Sequence, residues 1–431
     1  MKKYINPPEQ TWKELISRPV FDNSRFVPNV QAILDEVKLN GDQALKAFSK
    51  KFDQVEIDQL KVSDTEFNLA LETISIELKT AIHTAAANIE KFHIDQLPRL
   101  IRTETMPGVE CWQKSIPINR VGLYIPGGTA PLFSTVLMLA IPARIAQCPE
   151  IILCTPPDKN GKINTAILYA ARLCGVTKVF KAGGAQAIAA MAYGTESIPR
   201  ADKIFGPGNQ YVTTAKQLVS SQGIAIDLPA GPSEVMVVVD RETPAAFAAA
   251  DLLSQAEHGA DSQVILLTRY PEKLEEIETE TLKQLEQLPR KELAAKALEN
   301  SRLISFTDFN RCLGFMNAYA PEHLILAVAE PKIWADRVTQ AGSVFMGYYT
   351  PESAGDYASG TNHTLPTNGF ANAYSGVNMD SYLKKITFQE ITPNGLKNIG
   401  KTIEIMAEAE QLMGHKNAVT VRLNTLSHGI K

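Results

Sequence analysis

The stretch VGLYIPGG, residues 121–128, is a short apolar run that ends in proline and two glycines. The pattern returns four times before residue 240, each time beside a helix-like stretch. These segments are IILCTPPD (151–158), KVFKAGGAQ (178–186), KIFGPGN (203–209) and AIDLPAGPSE (225–234). Short apolar strands that alternate with helices are typical of a doubly wound parallel sheet. This region is therefore predicted to form one.

The carboxyl ends of the predicted strands combine glycine or proline with a polar side chain: Tyr124, Gln186, Asn209 and Ser233. Ligands of open parallel sheets bind outside these ends, where glycines let backbone N–H groups approach a phosphate. The GxGxxG fingerprint of dinucleotide-binding proteins is absent from the sequence. Two interpretations stay open at this point, nucleotide binding and ordinary turn formation.

Composition excludes several classes of protein. With 431 residues and 45% hydrophobic content, the chain can bury large cores and is expected to form two or three domains. A net charge of −4 supports neither a nucleic-acid partner nor an anionic membrane partner. The five cysteines show no CxxC spacing, which favours reduced thiols. No apolar segment of signal-peptide or membrane-spanning length is present, so we expect a cytoplasmic protein.

The flanking regions follow other patterns. Residues 28–95 are helical, and residues 66–92 are predicted to form one long amphipathic helix. The segment PESAGDYASGTNHTLPT, 351–367, has no apolar periodicity and is predicted to be a polar loop, either functional or merely solvated. In the tail, a helix is expected to end at Gly414, followed by a strand at AVTVRL, 418–423.

Four histidines lie at predicted element boundaries beside other polar residues: His258, His323, His363 and His415. Gln255 and His258 lie three residues apart near the end of a predicted helix that Gly259 stops, so both can face one object. Zinc sites that keep an open position use such nitrogen and oxygen donors. Gln255, His258, Asp356 and His415 are therefore candidate ligands. Their spacing matches no recognised zinc motif, so ordinary polar roles stay open.

Glu322 and His323, in YAPEHLILAV, form a second candidate site. Pro321 ends any preceding helix and a strand follows, so a local bend can direct both side chains into one pocket. A carboxylate and an imidazole are the commonest general bases. The alternative is a surface glutamate beside a capped histidine.

Nine segments, in order along nearly the whole chain, closely resemble histidinol dehydrogenase. They are VGLYIPGG, KAGGAQAIAA, KIFGPGN, LPAGPSE, LLSQAEHG, PEHL, AGSVFMG, PESAGDYASGTNH and HKNAV. The resemblance implies an enzyme that oxidises L-histidinol to L-histidine in two hydride transfers to NAD, through histidinaldehyde, as the last step of histidine biosynthesis.

The resemblance also implies roles for individual residues. One zinc ion per subunit would be held by Gln255, His258, Asp356 and His415, the last from the other subunit of a homodimer. Glu322 and His323 would be the catalytic pair. Tyr124, Gln186 and Asn209 would contact NAD. The substrate would contact the four zinc ligands, the catalytic pair, Ser233, His363 and Glu410.

The expected fold is α/β, with two doubly wound, Rossmann-like domains, an N-terminal helical arm and a C-terminal tail domain exchanged between subunits. The expected boundaries place the arm at 1–21, the catalytic and metal-binding domain at 22–123 and 234–376, the NAD-binding domain at 124–233 and the tail at 377–431.

Two other classes of protein compete with this interpretation. A cysteine-dependent aldehyde dehydrogenase would need a thiolate nucleophile, and none of the cysteines lies beside a candidate base in the sequence. A non-catalytic binder of a small molecule would have no use for the Glu322–His323 pair.

Overall fold

The computed structural model describes residues 1–19, 25–127, 131–228 and 231–428. The chain forms two compact units. Unit 1 comprises Met1–Gln96 and Ile118–Tyr382, and unit 2 comprises Leu97–Pro117 and Leu383–Lys431. Within the described residues, no helix is both long and apolar enough to cross a membrane.

The strands, in chain order, are β1 (Lys2–Ile5), β2 (Arg102–Met106), β3 (Val109–Pro117), β4 (Arg120–Tyr124), β5 (Glu150–Thr155), β6 (Lys178–Lys181), β7 (Lys203–Phe205), β8 (Ala225–Ile226), β9 (Glu234–Val239), β10 (Gln263–Thr268), β11 (Arg302–Ser305), β12 (His323–Ala327), β13 (Ser343–Met346) and β14 (Leu383–Ile391).

The α-helices are α1 (Trp12–Leu15), α2 (Val27–Phe48), α3 (Asp64–Thr73), α4 (Ile76–Ile94), α5 (Phe133–Ile145), α6 (Thr165–Leu173), α7 (Gly184–Tyr193), α8 (Gln210–Ser221), α9 (Ala245–Ala256), α10 (Glu272–Leu285), α11 (Lys291–Glu299), α12 (Phe309–Tyr319), α13 (Pro331–Ala335), α14 (Glu352–Tyr357), α15 (Pro393–Ala409) and α16 (Met413–His428).

The five glycine- and proline-terminated segments form a five-stranded sheet in unit 1, in the order β6-β5-β4-β7-β8. All its strand pairs are parallel. The order reverses between β4 and β7, which makes a topological switch point at their carboxyl ends. One continuous core joins the sheet to α2, α7 and α8. The prediction of a parallel α/β sheet in this region is confirmed.

A second parallel sheet in unit 1 has six strands in the order β1-β11-β10-β9-β12-β13. Every residue of β9 is buried, because both faces of the sheet are covered. Val235, Val237 and Val239 enter the core formed with α9, α10 and α11. Met236 and Val238 enter the opposite core, formed with α12 and α1. Alternation between the two faces thus explains a continuous apolar strand.

The N-terminal arm differs from the expected helical structure. Lys2–Ile5 form β1, which pairs in parallel with β11 at the edge of the six-stranded sheet. The short helix α1 follows and places Leu15 in the core under α12. The arm is therefore a structural part of the sheet as well as a helical segment.

The single long helix expected over residues 66–92 is wrong. The chain forms α3 and α4 instead, with Ile74 extended between them. Ser63 begins α3 in a capping box with Glu66, and Ser75 caps α4 by accepting from the Leu78 backbone N–H. Ser75 caps the start of a second helix, so the apolar pattern of residues 66–92 extends over two helices and not one.

Two further expectations are wrong. Residues 351–367 are not entirely loop, because Glu352–Tyr357 form α14. In unit 2, the tail helix α15 ends at Ala409, not at Gly414, and AVTVRL lies inside α16. Gln411, with φ 61°, turns the chain between the two helices. Leu423 then packs so closely on Gly400 that a Cβ there would lie 2.9 Å from it. Helix packing overrides the β-branched local pattern.

Unit 2 also contains a three-stranded antiparallel sheet in the order β14-β3-β2. β14 pairs with β3 without interruption, from Leu383 opposite Pro117 to Ile391 opposite Val109. Residues 97–117 and the C-terminal tail thus make one structural unit, although 265 residues (118–382) separate them along the chain.

A buried ion pair in unit 1 fixes the turn after β7. Lys216 Nζ lies 2.5 Å from Asp227 Oδ1 and donates to the Gly206 carbonyl at 2.9 Å. Asp227 Oδ2 accepts the Gly206 N–H at 2.8 Å. Gly206 has φ +129°, and a Cβ there would lie 2.1 Å from the Tyr124 carbonyl oxygen. The pair therefore holds the turn directly against the end of β4.

We expect Lys216→Met to destabilise the protein by about 3–5 kcal/mol, because it leaves the Asp227 carboxylate buried and unpaired. A double variant, Lys216→Met with Asp227→Leu, should recover much of that loss. The matched control is Lys50→Met, whose partner Glu56 is exposed, and we expect little or no change there because solvent screens the pair. Urea unfolding midpoints measure the three changes, and equal shifts for the two single variants would contradict the expectation.

Candidate functional site

Glu322 and His323 lie where β12 begins. α12 ends at Tyr319, and Ala320 takes a left-handed conformation that turns the chain towards the strand. The two side chains are buried, with Glu322 Oε2 3.7 Å from His323 Nδ1. Gly342 supports this bend, since a Cβ there would lie 2.5 Å from the Glu322 carbonyl oxygen. The predicted bend thus brings adjacent side chains into contact.

Two other elements hold the pair. The backbone N–H of Glu234, at the start of β9, donates to Glu322 Oε2 at 2.9 Å. The carbonyl of Glu234 lies 3.3 Å from His323 Nδ1. From the last turn of α9, the Gln255 amide nitrogen lies 3.4 Å from both Glu322 Oε2 and His323 Nδ1. The pair is therefore oriented by the six-stranded sheet and by α9.

A cluster of possible metal ligands adjoins His323. Ligand atoms of His258, Glu352 and Asp356 all lie within 4.8 Å of one another. His258 follows α9, whose helical residues end at Ala256, and its ring is exposed. Glu352 and Asp356 occur four residues apart in α14 and so share one face of that helix. His323 Nε2 lies 3.6 Å from Asp356 Oδ1.

Glu352 is a ligand candidate that sequence patterns alone do not indicate. Its side chain is almost fully buried, and Glu352 Oε1 lies 4.0 Å from His323 Nδ1. The signal that could have identified it is the i, i+4 spacing with Asp356, which has meaning only in a helix. A loop over residues 351–367 would have no helical face, so the prediction of a loop gives no reason to pair Glu352 with Asp356.

Burial and charge shift the acid–base groups strongly. Burial raises the pKa of Glu322 to about 8, and burial likewise raises the pKa of Glu352 to about 8. Burial alone would lower the pKa of His323, but the carboxylates of Glu352 and Glu322 outweigh it and raise the pKa to about 10. For Asp356, burial is outweighed by its contact with His323, and its pKa is lowered. Burial therefore favours the protonated forms of Glu322 and Glu352, and the neighbouring carboxylates favour the protonated form of His323.

The donor set suits a divalent cation. Within the described ranges, His323 Nε2 and Glu352 Oε2 are buried without a hydrogen-bond partner. One imidazole and two carboxylates, with a neighbouring glutamine amide, match the mixed nitrogen and oxygen ligands of open zinc sites. A cation at the cluster would also offset the charge of the buried carboxylates.

The residues expected to contact NAD gather at the carboxyl end of the five-stranded sheet. Tyr124 ends β4, and its hydroxyl oxygen accepts the Gly184 backbone N–H at 3.1 Å. Gln186 lies buried in the first turn of α7. Asn209 caps α8, because its side-chain oxygen accepts from the Tyr211 and Val212 backbone N–H groups. Two helix N-termini thus point to this edge, an arrangement that favours anions.

His363 connects α14 to α5. Its Nδ1 lies 2.9 Å from the Asp356 carbonyl oxygen and its Nε2 lies 3.1 Å from Thr135 Oγ1, in the helix that follows β4. Ser233, half-buried, directly precedes β9. The catalytic candidates thus lie at the amino ends of β9 and β12, whereas the cofactor candidates lie at carboxyl ends.

Glu410 and His415 belong to unit 2. Glu410 is the C-cap residue of α15, and His415 lies in the first turn of α16. Both side chains are exposed. The expected four-ligand set therefore draws on both units and remains a prediction.

The four buried cysteines are poor nucleophiles. All five are free, and Cys148, Cys154, Cys174 and Cys312 are buried. Burial raises the pKa of Cys148 to about 11 and the pKa values of Cys174 and Cys312 to about 12. A buried thiol with a raised pKa supplies no thiolate at neutral pH. This disfavours cysteine-dependent aldehyde oxidation.

Known proteins are similar to this chain over nearly its whole length. A crystal structure of histidinol dehydrogenase from Elizabethkingia anophelis matches with a TM-score of 0.97 and 55% identity over 99% of each chain. The histidinol dehydrogenase of Bacteroides thetaiotaomicron is 59% identical over 99% of this chain and 100% of its own length. That of Yersinia pestis is 52% identical, over 98% and 95%. These relatives are dehydrogenases, a class of oxidoreductase.

The family model for histidinol dehydrogenase matches residues 16–423. The chain belongs to the histidinol dehydrogenase family, whose members are NAD-dependent oxidoreductases of histidine biosynthesis in which zinc is characteristic. The resemblance seen in the sequence motifs is confirmed. An acetylating aldehyde dehydrogenase from Geobacillus thermoglucosidasius, 15% identical with a TM-score of 0.51 over 86% of this chain and 98% of its own, shares only the fold.

Proposed function

We propose that this protein oxidises L-histidinol to L-histidine through L-histidinaldehyde, using two NAD per turnover, as the last step of histidine biosynthesis. The observation that carries the proposal is the buried Glu322–His323 pair beside the ligand cluster of His258, Glu352 and Asp356. Membership of the histidinol dehydrogenase family supports the choice of substrate. We place the enzyme in the cytoplasm.

The proposal divides the chain by task. Residues 124–233 bind NAD, and residues 22–123 with 234–376 bind metal and substrate. Residues 1–21 are the N-terminal arm, and residues 377–431 form a tail domain exchanged between subunits. Tyr124, Gln186 and Asn209 hold NAD at the carboxyl end of the five-stranded sheet. Bound there, NAD accepts a hydride in each of the two oxidations.

Gln255, His258 and Asp356, with His415 of the partner subunit, are the proposed ligands of one zinc ion per subunit. Glu352 lies beside this set and adds a buried negative charge. Zinc held by these residues would orient the substrate, whose imidazole and amine are good ligands for such an ion, with Lewis-acid help to the oxygen as the less favoured role. Ser233, His363 and Glu410 complete the substrate contacts.

The buried pair divides the proton transfers. His323 takes the proton that the alcohol releases when hydride leaves carbon, a task that needs the neutral imidazole. A cation held by His258, Glu352 and Asp356 would offset the carboxylate charge that raises the pKa of His323, and so would favour the neutral form. Glu322 takes a proton from the water that adds to the aldehyde. Its pKa, raised by burial to about 8, lies near the working pH, where a carboxylate is an efficient general base. Gln255 and the Glu234 backbone keep both groups in place.

The direct test is the absorbance of NADH at 340 nm with histidinol and NAD. We expect two NADH for each histidine formed. Chelation at neutral pH should abolish the activity, and Zn²⁺ should restore it, because His258 and the carboxylates lose their shared ion. A non-catalytic binder would bind histidinol without producing NADH. Full activity in a preparation that elemental analysis shows to be metal-free would refute the metal assignment but not the proposed oxidation of histidinol.

A second prediction separates the two bases. Glu322→Gln should still oxidise histidinol to the aldehyde level but turn over histidinaldehyde slowly, because only the water step needs the carboxylate. His323→Asn should slow the alcohol step more. Single-turnover assays started from each substrate measure the two steps, with bound metal checked in each variant. Equal losses in both half-reactions for both variants would contradict this division.

The shared site rests on the tail. Several large apolar side chains of α15, α16 and their connecting turn are exposed: Ile405, Met406, Leu412, Met413 and Val421. Five exposed large apolar side chains within 17 residues of the tail favour a surface that a partner covers. A two-fold partner would bring its tail to this chain's site and receive the tail of this chain in return.

Co-expression of Glu322→Gln with His415→Ala tests the shared site. In a mixed dimer, one site combines the intact body of the His415 variant with the intact tail of the Glu322 variant. With random pairing about half the dimers are mixed, so about a quarter of all sites should be active. Dimers purified through two affinity tags provide the control for mixing. Activity no higher than that of the separate variants would show that each site is built within one chain.

A further inference from the structure

Arg18 connects the N-terminal arm to the start of β9. Its Nε donates to Glu234 Oε2 at 2.8 Å and its Nη2 donates to Glu234 Oε1 at 2.8 Å. The side chains of Arg18 and Glu234 are only 12% and 1% exposed. A bidentate pair of this kind fixes the carboxylate in direction as well as position.

Arg18 also contacts the segment that leads into β12. Its Nη2 donates to the Tyr319 carbonyl at 2.5 Å, and the guanidinium lies over the Tyr319 ring, 3.8 Å from the centroid. Tyr319 is the last residue of α12, and the chain reaches Glu322 three residues later. One guanidinium therefore joins the start of β9 to the end of α12.

Glu234 passes this constraint to the catalytic pair through its backbone. The same residue whose carboxylate contacts Arg18 donates its N–H to Glu322 Oε2 and places its carbonyl 3.3 Å from His323 Nδ1. If Arg18 is removed, the Glu234 carboxylate is left buried without its cation and must shift or take up a proton. A shift of the carboxylate would displace the backbone N–H and carbonyl of the same residue, which orient Glu322 and His323.

We propose that Arg18 is a positioning residue for the two oxidations: through Glu234 it fixes the orientation of the Glu322 carboxylate and the His323 imidazole. The expected loss of kcat rests on the proposed function, whereas the expected change at the Glu234 backbone rests on the geometry alone. Arg18 reaches no reacting atom itself. Small displacements of acid–base groups reduce turnover strongly, so a contact at one remove has a measurable effect.

The test compares Arg18→Met and Arg18→Lys with Arg302→Met. Arg302 is a matched control because it also contacts the arm, through the carbonyls of Ser17 and Glu14, but not Glu234. We expect Arg18→Met to lower kcat at least about tenfold while KM values for histidinol and NAD and the bound metal stay within about twofold. Arg18→Lys should recover part of kcat, and Arg302→Met should keep it.

A double variant, Arg18→Met with Glu234→Met, separates positioning from stability. Removing both charges should restore the melting temperature lost in Arg18→Met, because no buried carboxylate is left unpaired. The low kcat should remain, because nothing then holds the Glu234 backbone. Recovery of kcat together with the melting temperature would overturn the proposal, as would an equal loss in Arg302→Met.

Hydrogen exchange gives a readout that does not depend on the activity. The Glu234 amide should exchange faster in Arg18→Met than in the parent protein, and the Arg302→Met protein should match the parent. If the parent enzyme makes no NADH from histidinol, the proposed function fails while this measurement still decides the role of Arg18. Unchanged exchange of the Glu234 amide would overturn the positioning role in either case.

Discussion

Three carboxyl groups, those of Glu322, Glu352 and Asp356, lie around the His323 imidazole, and several contacts within unit 1 offset that charge. Glu234, Glu322, Glu352 and Asp356 all approach His323 through a side chain or backbone atom. Isolated buried carboxylates are strongly unfavourable, so each needs a partner or a proton. Glu234 has Arg18, and Glu322 has the Glu234 N–H and His323. Glu352 and Asp356 face the possible cation position. The charge imbalance is thus itself an argument for a metal.

The site also depends on how the two parallel sheets are used. The five-stranded sheet presents carboxyl strand ends, as expected for nucleotide-binding folds. The six-stranded sheet presents amino ends, since His323 and Glu234 are the first residues of β12 and β9. Side chains at amino ends can hydrogen-bond to unpaired backbone groups of neighbouring strands. In this way the backbone of Glu234 contacts both Glu322 and His323. The His363–Thr135 contact joins the segment that follows the six-stranded sheet to α5, the helix that follows β4 of the five-stranded sheet.

The sequence predicted what local patterns determine. Strand runs closed by glycine or proline gave the five-stranded sheet, and the bend before His323 followed from Pro321 and the strand after it. Predictions failed where the deciding contact is distant in sequence. α16 is a helix because Leu423 packs on Gly400, and β1 is a strand because β11 offers its edge. Glu352 received no role because its shared face with Asp356 exists only once α14 forms. The proposed role of His415 in the site of a partner subunit involves contacts between chains, which local sequence patterns do not encode.

The pairing of β1 with β11 has a consequence for biogenesis. Lys2 lies opposite Arg302, so β1 can pair with β11 only after residue 302 has been synthesised. Contacts of such high sequence separation form late and slow the folding of a chain. Arg18 likewise meets Glu234 and Tyr319 only after those residues have been synthesised. During translation, β1 and Arg18 therefore lack these partners until residues 234, 302 and 319 have been synthesised, and the contacts proposed to orient Glu322 and His323 form only then.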